Sequence, residues 1–446
     1  MTFESSRELG NGGTARKKFE GRDRPWWWEW APRVEDEIKD IPKKADVAIV
    51  GSGYAGLSAA LELARAGRDV VVLEANVPGY GASSRAGGMI GAGHVVPFEK
   101  LARQYGDRQA AAILQEGVNA YEFTRNLIES EPIECHFKAV GRLRAAWRAE
   151  DFETIKRDVD NVTRWLGYDA EVVSKAELAN EIKTDLYVGG CLYRGHGGLH
   201  SAMFQSGLMD LAVKAGARIR GRARVVELSR EGSRHHVATD RGTIVARNVI
   251  VATNGYTIPE LRAFAKRLIP VHAYMIATEQ LGEEVVNSLI PNHRMIVETR
   301  MRRCYYRPSP DHKRILFGAR ASLGRIDLDR AANVLRSLLV EIFPSLADVS
   351  VTHCWTGQLG FAKDFLPHIG EVDGVHYALA CNGTGVAMLP YAGHKAALKV
   401  LGSPEGQTAF DAQEFRRIHP LYTGRPWFRP FISGYYRMID RREGSN

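Results

Sequence analysis

The sequence predicts an α/β protein in which a Rossmann-like nucleotide-binding domain is joined to a second, α+β domain built on a mixed, largely antiparallel sheet. A strand–glycine turn–helix–strand unit in residues 46–75 predicts the first domain. Alternating strands around a Pro-Asp turn, followed by a helix, predict the second domain in residues 269–350. A chain of 446 residues has room for both.

The order of these patterns along the chain predicts three parts. An N-terminal arm with closely spaced tryptophans occupies residues 1–44. The first domain is discontinuous and takes residues 45–135, 190–265 and 352–446, because apolar runs that end on glycine turns recur in each range. The second domain takes residues 136–189 and 266–351.

The first domain opens with a dinucleotide-binding pattern. An apolar run at residues 47–50 meets Gly51, and Gly51, Gly53 and Gly56 have the G-x-G-x-x-G spacing. A helical pattern and a second apolar strand follow, and that strand ends on Glu74. The glycines permit the turn, the approach of a pyrophosphate and close helix packing, while Glu74 suits ribose hydroxyls and disfavours NADP. The alternative is an ordinary βαβ unit with chance glycines.

Two further glycine-rich stretches are suited to wrapping a ligand. Residues 78–94 contain six glycines around Ser83 and Ser84, too many for a regular helix. Residues 376–386 read as a strand, a CNGTG turn and the start of a helix. We expect both backbones to contact a ligand closely, although the first stretch also fits a mobile surface loop.

Composition limits the classes of function. The charged fraction is 25% and the net charge of +8 comes from scattered basic residues, so we expect no nucleic-acid partner. The first residues lack the apolar segment of a secretory signal, and no apolar run approaches the roughly 20 residues of a membrane span. Five widely spaced cysteines fit free thiols in a reducing compartment, and we therefore expect a cytoplasmic protein.

Aromatic residues crowd near both ends of the chain. Trp26, Trp27, Trp28 and Trp30 lie within one short segment, and tryptophans so close together are rarely left in water. We expect them to pack on the body of the protein or on a partner chain, with one as a candidate to face a ligand. The tail at residues 427–436 is followed by arginines and is a candidate for contact with a membrane surface or another chain, including a second copy.

Several separated segments resemble the D-amino-acid oxidase superfamily of flavoproteins. These are GSGYAG with Glu74, GASSRAGG, VIVATNGYT, GFAKDFLPHIG and HYALACNGTGVAM, in the superfamily's order. Within it, YYRPSPDHKRILFGAR, LPHIG and the aromatic-basic tail are most similar to the gamma-glutamylputrescine oxidase branch. The resemblance implies a glutathione-reductase-type FAD domain, a mixed-sheet substrate domain and FAD as the cofactor.

The resemblance also assigns cofactor contacts position by position. It gives the diphosphate turn to Gly51, Gly53, Tyr54, Ala55 and Gly56, and the adenosine ribose to Glu74 and Ala75. The ribityl chain and flavin edge would run along Ala82, Ser83, Ser84, Gly87, Gly88 and Met89, and Val225 would hold the adenine. Ala252, Thr253 and Asn254 would cover the cofactor, and Asn382, Gly383, Thr384, Gly385 and Val386 would lie at the pyrimidine end of the flavin.

The implied activity is oxidation of an amine or an N-substituted amino acid. A hydride passes to flavin N5, water hydrolyses the imine, and O₂ or a quinone takes the electrons. The candidates for the pocket wall are Met89, His94, His272, Tyr305, Arg307 and Trp355. The two histidines are equally compatible with structural roles, and Arg307 with an anionic substrate tail or an ordinary ion pair. Of Tyr305 and Tyr306, one should face the pocket and the other the core.

Three departures from the superfamily pattern bear on the substrate and cofactor. Glycine oxidase has an arginine for the substrate carboxylate where this chain has Leu359, and a second basic position is Gly383 here. A missing arginine clamp favours an amine whose anionic group lies away from the oxidised carbon. Cys354 lies off the cysteine position to which sarcosine oxidases attach flavin, which favours non-covalent FAD.

Two alternatives remain at this stage. The H-x-x-x-H spacing of His196 and His200 lies among glycines and lacks the glutamate of zinc proteases, so we predict no metal site. A non-catalytic FAD-binding or electron-transfer subunit of a larger complex would also explain the aromatic termini.

Overall fold

The computed structural model describes residues 19–33, 38–93, 95–300, 303–320 and 325–425. The strands are β1 (Lys44–Val50), β2 (Val70–Leu73), β3 (Met89–Ile90), β4 (Arg142–Ala146), β5 (Glu171–Ser174), β6 (Gly189–Tyr193), β7 (Gly197–Gly198), β8 (Arg218–Arg220), β9 (Val225–Glu231), β10 (Arg234–Thr239), β11 (Gly242–Val251), β12 (Ile269–Thr278), β13 (Met295–Glu298), β14 (Tyr305–Pro308), β15 (Ile315–Ala319), β16 (Val351–Phe361), β17 (His368–Val372) and β18 (Val375–Leu379). The helices are α1 (Tyr54–Arg65), α2 (Phe98–Tyr105), α3 (Asp107–Ser130), α4 (Ala149–Leu166), α5 (Lys175–Leu178), α6 (Ser201–Lys214), α7 (Arg262–Ala265), α8 (Glu283–Leu289), α9 (Leu328–Ile342) and α10 (Gly385–Val400).

The first sheet has the order β17-β18-β11-β1-β2-β8, with β10 and β9 added at β11. β1 is parallel to β11 and β2, and β11 is parallel to β18. Strand alternation gives this sheet two buried faces: Val47 and Ile49 pack with α1, α3, α6 and α10, whereas Ala48 and Val50 pack with the opposite core. Continuous apolar runs are what a parallel sheet covered on both faces requires, and the predicted Rossmann-like domain is confirmed.

The second sheet has the order β16-β12-β15-β14-β13-β4-β6-β5. Its pairs are antiparallel except β13 with β4, so the predicted mixed, largely antiparallel sheet is confirmed. Along β12, Tyr274 and Ile276 enter a core that α9 covers, while Met275 and Ala277 enter a smaller cluster on the other face. The second face is the one turned toward the loop that precedes β3.

Two segments pair differently from the sequence-based division into domains. β6 and β16 belong to the second sheet, although residues 190–193 and 352–361 fall in ranges assigned to the first domain. Their hydrogen bonds to β4, β5 and β12 explain this, since strand pairing over such distances leaves no local signal. We propose domain boundaries that place both strands with the second sheet.

The tryptophan-rich arm packs on the body of the chain. Trp26 and Trp27 are buried in the small cluster that also contains Met275, Leu316 and Trp355. Backbone hydrogen bonds fasten the preceding residues to the start of β16, from Arg22 N–H to the Thr352 carbonyl at 2.8 Å and from Cys354 N–H to the Arg22 carbonyl at 3.0 Å. The aromatic tail from residue 426 lies outside the described residues.

Candidate active site

Four parallel strands bring the predicted cofactor residues to one edge of the first sheet. β1, β2, β11 and β18 end there, and each is followed by one of the predicted turns. Gly51 N–H donates to the Leu73 carbonyl at 2.8 Å, and Ala252 N–H donates to the Val50 carbonyl at 2.9 Å. The carboxyl edge of a parallel sheet, where strand order changes direction, is the usual ligand site in such folds.

The glycines of the first turn are needed for the backbone to follow its path. A Cβ at Gly56 would lie 1.9 Å from the Gly51 carbonyl oxygen, so α1 packs closer to β1 than any other residue allows. Gly51 has φ of +105°, which favours glycine. The N-cap residue of α1 is Gly53, which has no side chain to cap the helix, and the first N–H, that of Tyr54, donates to Ser83 Oγ at 2.9 Å. This end of α1, which continues into Ala55, can therefore offer N–H groups to a diphosphate.

Glu74 is held at the end of β2 by three donors. Its Oε2 accepts from Ser52 N–H at 3.0 Å and from Ser52 Oγ–H at 2.7 Å, and its Oε1 accepts from Asn76 N–H at 3.1 Å. Ala75 follows directly. Val225, at the start of β9, is brought near because Ala223 N–H donates to the Glu74 carbonyl at 2.7 Å. The sequence analysis missed Ser52; its position between two motif glycines was the available signal.

The closing turn before α10 is fastened by two buried asparagines. Asn254 Oδ1 accepts from the N–H groups of Ala380 at 3.1 Å and Cys381 at 3.4 Å, and Asn382 Oδ1 accepts from Ala362 N–H at 3.0 Å. Both asparagines adopt positive φ. Their side chains therefore fix the protein's own backbone, so we propose that any cofactor contact at these positions comes from the main chain.

The N-terminus of α10 presents an open backbone surface. Thr384 is the N-cap residue of α10, but its side chain accepts no hydrogen bond from the first turn of the helix. The helix begins at Gly385 and continues through Val386. Gly383 has φ of +101°, and a Cβ there would meet nothing within 4 Å. Thr253 lies in the neighbouring turn after β11, where its hydroxyl bonds that of Thr257 at 2.7 Å. A helix N-terminus at this edge stabilises negative charge.

The loop before β3 contacts both halves of the chain, since Ser83 Oγ accepts from Tyr54 N–H of α1 and the Arg85 carbonyl accepts from Trp355 of β16. It begins with a short 3₁₀ turn at Ala82–Ser84, and Ser84 Oγ–H donates to the Gly79 carbonyl at 2.5 Å. Gly88 has φ of +69°, and a Cβ there would lie 2.1 Å from the Leu199 carbonyl oxygen. Met89 then pairs with Gly198 in the β3–β7 ribbon. Ser83 and Ser84 are buried in this loop, so its first turn packs on the body of the protein.

Strand alternation separates the two neighbouring tyrosines. Tyr305 packs on the loop, because a Cβ at Gly87 would lie 3.2 Å from its ring. Tyr306 points to the opposite face, where its hydroxyl lies 2.9 Å from that of Tyr187, which also donates to Glu298 at 2.9 Å. Tyr305 is therefore the tyrosine on the side of the loop.

Arg307 shares the face of Tyr305 and is only 4% exposed. Its Nη1 donates to the carbonyls of Gly88 and Leu199, both at 2.9 Å, and its Nε donates to the Pro308 carbonyl at 3.0 Å. Among the described residues no carboxylate pairs with it, and burial lowers its pKa to about 9. An ordinary ion pair with a described residue is thus not what holds this cation.

The remaining predicted wall residues, Trp355, His272 and His94, differ in their positions relative to the loop. Trp355 is buried with Met275, and its Nε1–H donates to the Arg85 carbonyl at 2.8 Å, next to the loop. His272 lies near Thr356 and Tyr274, on the face of β12 opposite Met275, so this geometry argues against its place in the pocket wall. His94 lies outside the described residues.

The cysteines and buried histidines offer little reactivity. Cys354 lies in the core of the second domain, and burial raises the pKa of its thiol to about 12, which argues against attachment to a cofactor. His200 Nδ1 accepts from Met203 N–H at 3.1 Å, and burial lowers the pKa of His200 to about 3.

The described residues contain no group of three or more His, Cys, Asp or Glu side chains that could hold a metal ion. Among the helices in those residues, none is both long and apolar enough to cross a bilayer.

One carboxylate clamps the arm to the second sheet. Glu29 accepts from Arg22 at 2.6 Å and Arg24 at 2.8 Å, and lies 3.2 Å from His353 Nε2. The Arg22 hydrogen bond, with smaller contributions from His353 and Arg24, lowers the pKa of Glu29 from 4.5 to about 2.

This clamp predicts a pH-dependent contribution to stability. Because the pKa of Glu29 is lowered on folding, its contribution is complete above pH 4.5 and is lost as the pH falls toward 2. Glu29→Gln should lower the free energy of unfolding at pH 7 by less than about 1 kcal/mol, since the pair is partly solvated. Urea unfolding at pH 7 and pH 3 measures this. The exposed Glu414→Gln is the control, and a Glu29→Gln effect that grows on acidification would contradict the assignment.

The chain matches a known protein family over most of its length. Residues 46–398 match the family model DAO, described as FAD dependent oxidoreductase. Gamma-glutamylputrescine oxidoreductase of Escherichia coli is 32% identical over 409 residues, which cover 89% of this chain and 93% of that protein. Glycine oxidase of Geobacillus kaustophilus is 26% identical over 385 residues, covering 83% and 96%.

Solved structures show the same fold. The crystal structure of the Geobacillus kaustophilus glycine oxidase matches with a TM-score of 0.70 at 23% identity, covering 84% of this chain and 99% of that one. L-proline dehydrogenase from P. horikoshii matches with a TM-score of 0.65 at 19% identity, covering 82% and 95%.

Proposed function

The chain belongs to the DAO family of FAD-dependent oxidoreductases, as the sequence predicted, and from this premise we propose that it oxidises an amine or an N-substituted amino acid at the carbon next to nitrogen. It is an FAD-dependent oxidoreductase of amines or amino acids. One observation carries the finer proposal. Four strand ends, the N-termini of α1 and α10 and the Ala82–Ser84 loop converge beside one apolar face of the second sheet.

The residues present fit FAD. The glycine cradle at Gly51 and Gly56 leaves backbone N–H groups for a diphosphate, and Glu74 is oriented for a ribose. The open turn at Gly383 and the N-terminus of α10 suit the polar end of an isoalloxazine ring. We propose non-covalent binding, which the buried position of Cys354 supports.

When bound, FAD supplies the acceptor for the hydride of the substrate's C–H bond at flavin N5. The protein's part is to orient the neutral amine and to exclude water until the imine has formed. Tyr305, Trp355 and Met89 are proposed to form the wall beside the loop. No general base is required of the described residues, and none of the proposed wall residues is a carboxylate.

We further propose that the substrate carries an anionic group away from the oxidised carbon. Leu359, in place of an arginine clamp, packs against apolar residues of the first domain. Arg307 instead supplies a buried positive charge on the face of Tyr305. Backbone carbonyls solvate this charge but no described carboxylate neutralises it, so an anionic ligand there would be favoured. The Escherichia coli relative is a gamma-glutamylputrescine oxidoreductase, and a gamma-glutamyl group places a carboxylate away from the amine end of such a substrate.

Anaerobic reduction tests the proposal. The purified protein should be yellow, its flavin absorbance should bleach with a primary or secondary amine, and air or a quinone should restore the colour. Amines with and without a distant carboxylate should be compared at equal concentration. Flavin that no member of the panel reduces would instead support the non-catalytic subunit, and a colourless protein indifferent to FAD would exclude both.

A further inference from the structure

We propose that Trp28 in the N-terminal arm is a positioning residue for the cofactor site, acting through the loop Ala82–Ser84 and on to Glu74. The proposal rests on the proposed function because it takes FAD as the ligand of that loop. It gives the arm a role that neither the family match nor the glycine motif requires, since the match begins at residue 46.

A continuous chain of hydrogen bonds runs from the arm to Glu74. Trp28 Nε1–H donates to Ser84 Oγ at 3.1 Å, and Ser84 Oγ–H donates to the Gly79 carbonyl at 2.5 Å. Gly79 N–H then donates to Ser52 Oγ at 3.0 Å, and Ser52 Oγ–H donates to Glu74 Oε2 at 2.7 Å. Each hydroxyl in this chain accepts one bond and donates the next, so its orientation is determined by its neighbours.

The ring of Trp28 also holds the loop by stacking. The guanidinium carbon of Arg85 lies 4.6 Å from the Trp28 ring centroid and 4.4 Å from that of Tyr80. Arg85 Nε donates to the Tyr80 carbonyl at 2.7 Å, and its own carbonyl accepts from Trp355. A cation that lies over two aromatic rings is stabilised by both where burial otherwise disfavours its charge.

The arm can act as a fixed support because it is anchored to the second sheet. Its backbone bonds to Thr352 and Cys354, and Glu29 binds His353 in the same strand, β16. The strand then passes over the loop, where a Cβ at Gly357 would lie 3.7 Å from Ala82 Cα. Trp28 thus joins β16 to the hydrogen bonds that orient Glu74, and loosening it should weaken the hold on FAD.

The test uses Trp28→Phe, which keeps an aromatic ring over Arg85 and removes the N–H donor. The control is Trp30→Phe in the same arm, because Trp30 packs on Trp26 and His200 instead of the loop. We expect FAD to leave the diluted Trp28→Phe holoenzyme about 2- to 12-fold faster than the wild type, followed by flavin fluorescence. Trp30→Phe should match the wild type.

A second variant separates positioning from general destabilisation. Ser84→Ala removes the same link, so its effect and that of Trp28→Phe should not add in the double variant. Amide exchange of the peptide covering residues 79–88 should accelerate in both single variants and not in Trp30→Phe. Equal FAD release and equal exchange in Trp28→Phe and the wild type would overturn the proposal. If no amine reduces the wild-type flavin, the proposed function is wrong. The FAD release and amide exchange of the variants would still test the role of Trp28, because neither measurement requires turnover.

Discussion

The Gly56→Ala variant should be recovered without FAD and with a free energy of unfolding lower by about 3 kcal/mol. The added methyl group would lie 1.9 Å from the Gly51 carbonyl oxygen, which is backbone in the tightest turn of the site. Moving α1 away from β1 relieves the clash, but it opens the apolar packing of Ile49 and displaces the N–H groups that would face the diphosphate. The ratio of flavin to protein absorbance and denaturant unfolding measure the two effects.

Gly195→Ala is the matched control for this substitution. Gly195 is exposed, and a Cβ there would meet nothing within 4 Å, so the same chemical change should leave flavin content and stability unaltered. Full FAD occupancy in Gly56→Ala would contradict the assignment of this turn to the FAD diphosphate, because the added methyl group must displace the N–H groups that the assignment uses.

The first domain could be predicted because its signals are local. The strand, the three glycines, the helix and Glu74 all fall within one short segment. Each of these local signals predicts the same strand–turn–helix–strand unit. The family's later landmarks extended the prediction to FAD. The sequence did not predict a role for Ser52, because the motif leaves that position open and only the structure shows its hydrogen bonds to Glu74.

Predictions that depended on long-range pairing were weaker. β16 pairs with β12 across most of its length, and this partner decides that Trp355 and Gly357 face the loop whereas Thr356 and His272 face away. Sequence alternation separates Tyr305 from Tyr306 but does not say which faces the core; the Tyr187 hydroxyl settles that. Asn254 and Asn382 matched the family's cofactor positions, yet their side chains hold the closing turn.

The packing partner of the N-terminal arm could not be predicted from the sequence either. Four tryptophans in one segment indicated burial but named no partner, because any apolar surface would satisfy them. The structure supplies the partner through polar contacts: the backbone bonds to β16 and the indole of Trp28 on Ser84. These contacts, and not the apolar area alone, give the arm a defined position beside the site.

Arg307→Met should abolish a preference for substrates with a distant carboxylate. Methionine preserves much of the side-chain volume, whereas the buried charge is lost and with it a charge-assisted hydrogen bond worth about 1.5–3 kcal/mol. We expect kcat/KM for an amine with a distant carboxylate to fall about 10- to 150-fold relative to the same amine with a neutral amide there. The relevant measurement is this ratio of the two substrates in each enzyme.

The ratio is needed because Arg307 also binds the carbonyls of Gly88 and Leu199, so its loss should slow both substrates through the loop. Arg307→Lys retains the charge without the planar pair of donors, and it should preserve part of the preference even where both rates fall. If Arg307→Met slows both substrates equally, the arginine serves only to hold the loop. The proposed anionic group would then lack support, and an amine without such a group would become the better substrate class, because Leu359 offers no charge either.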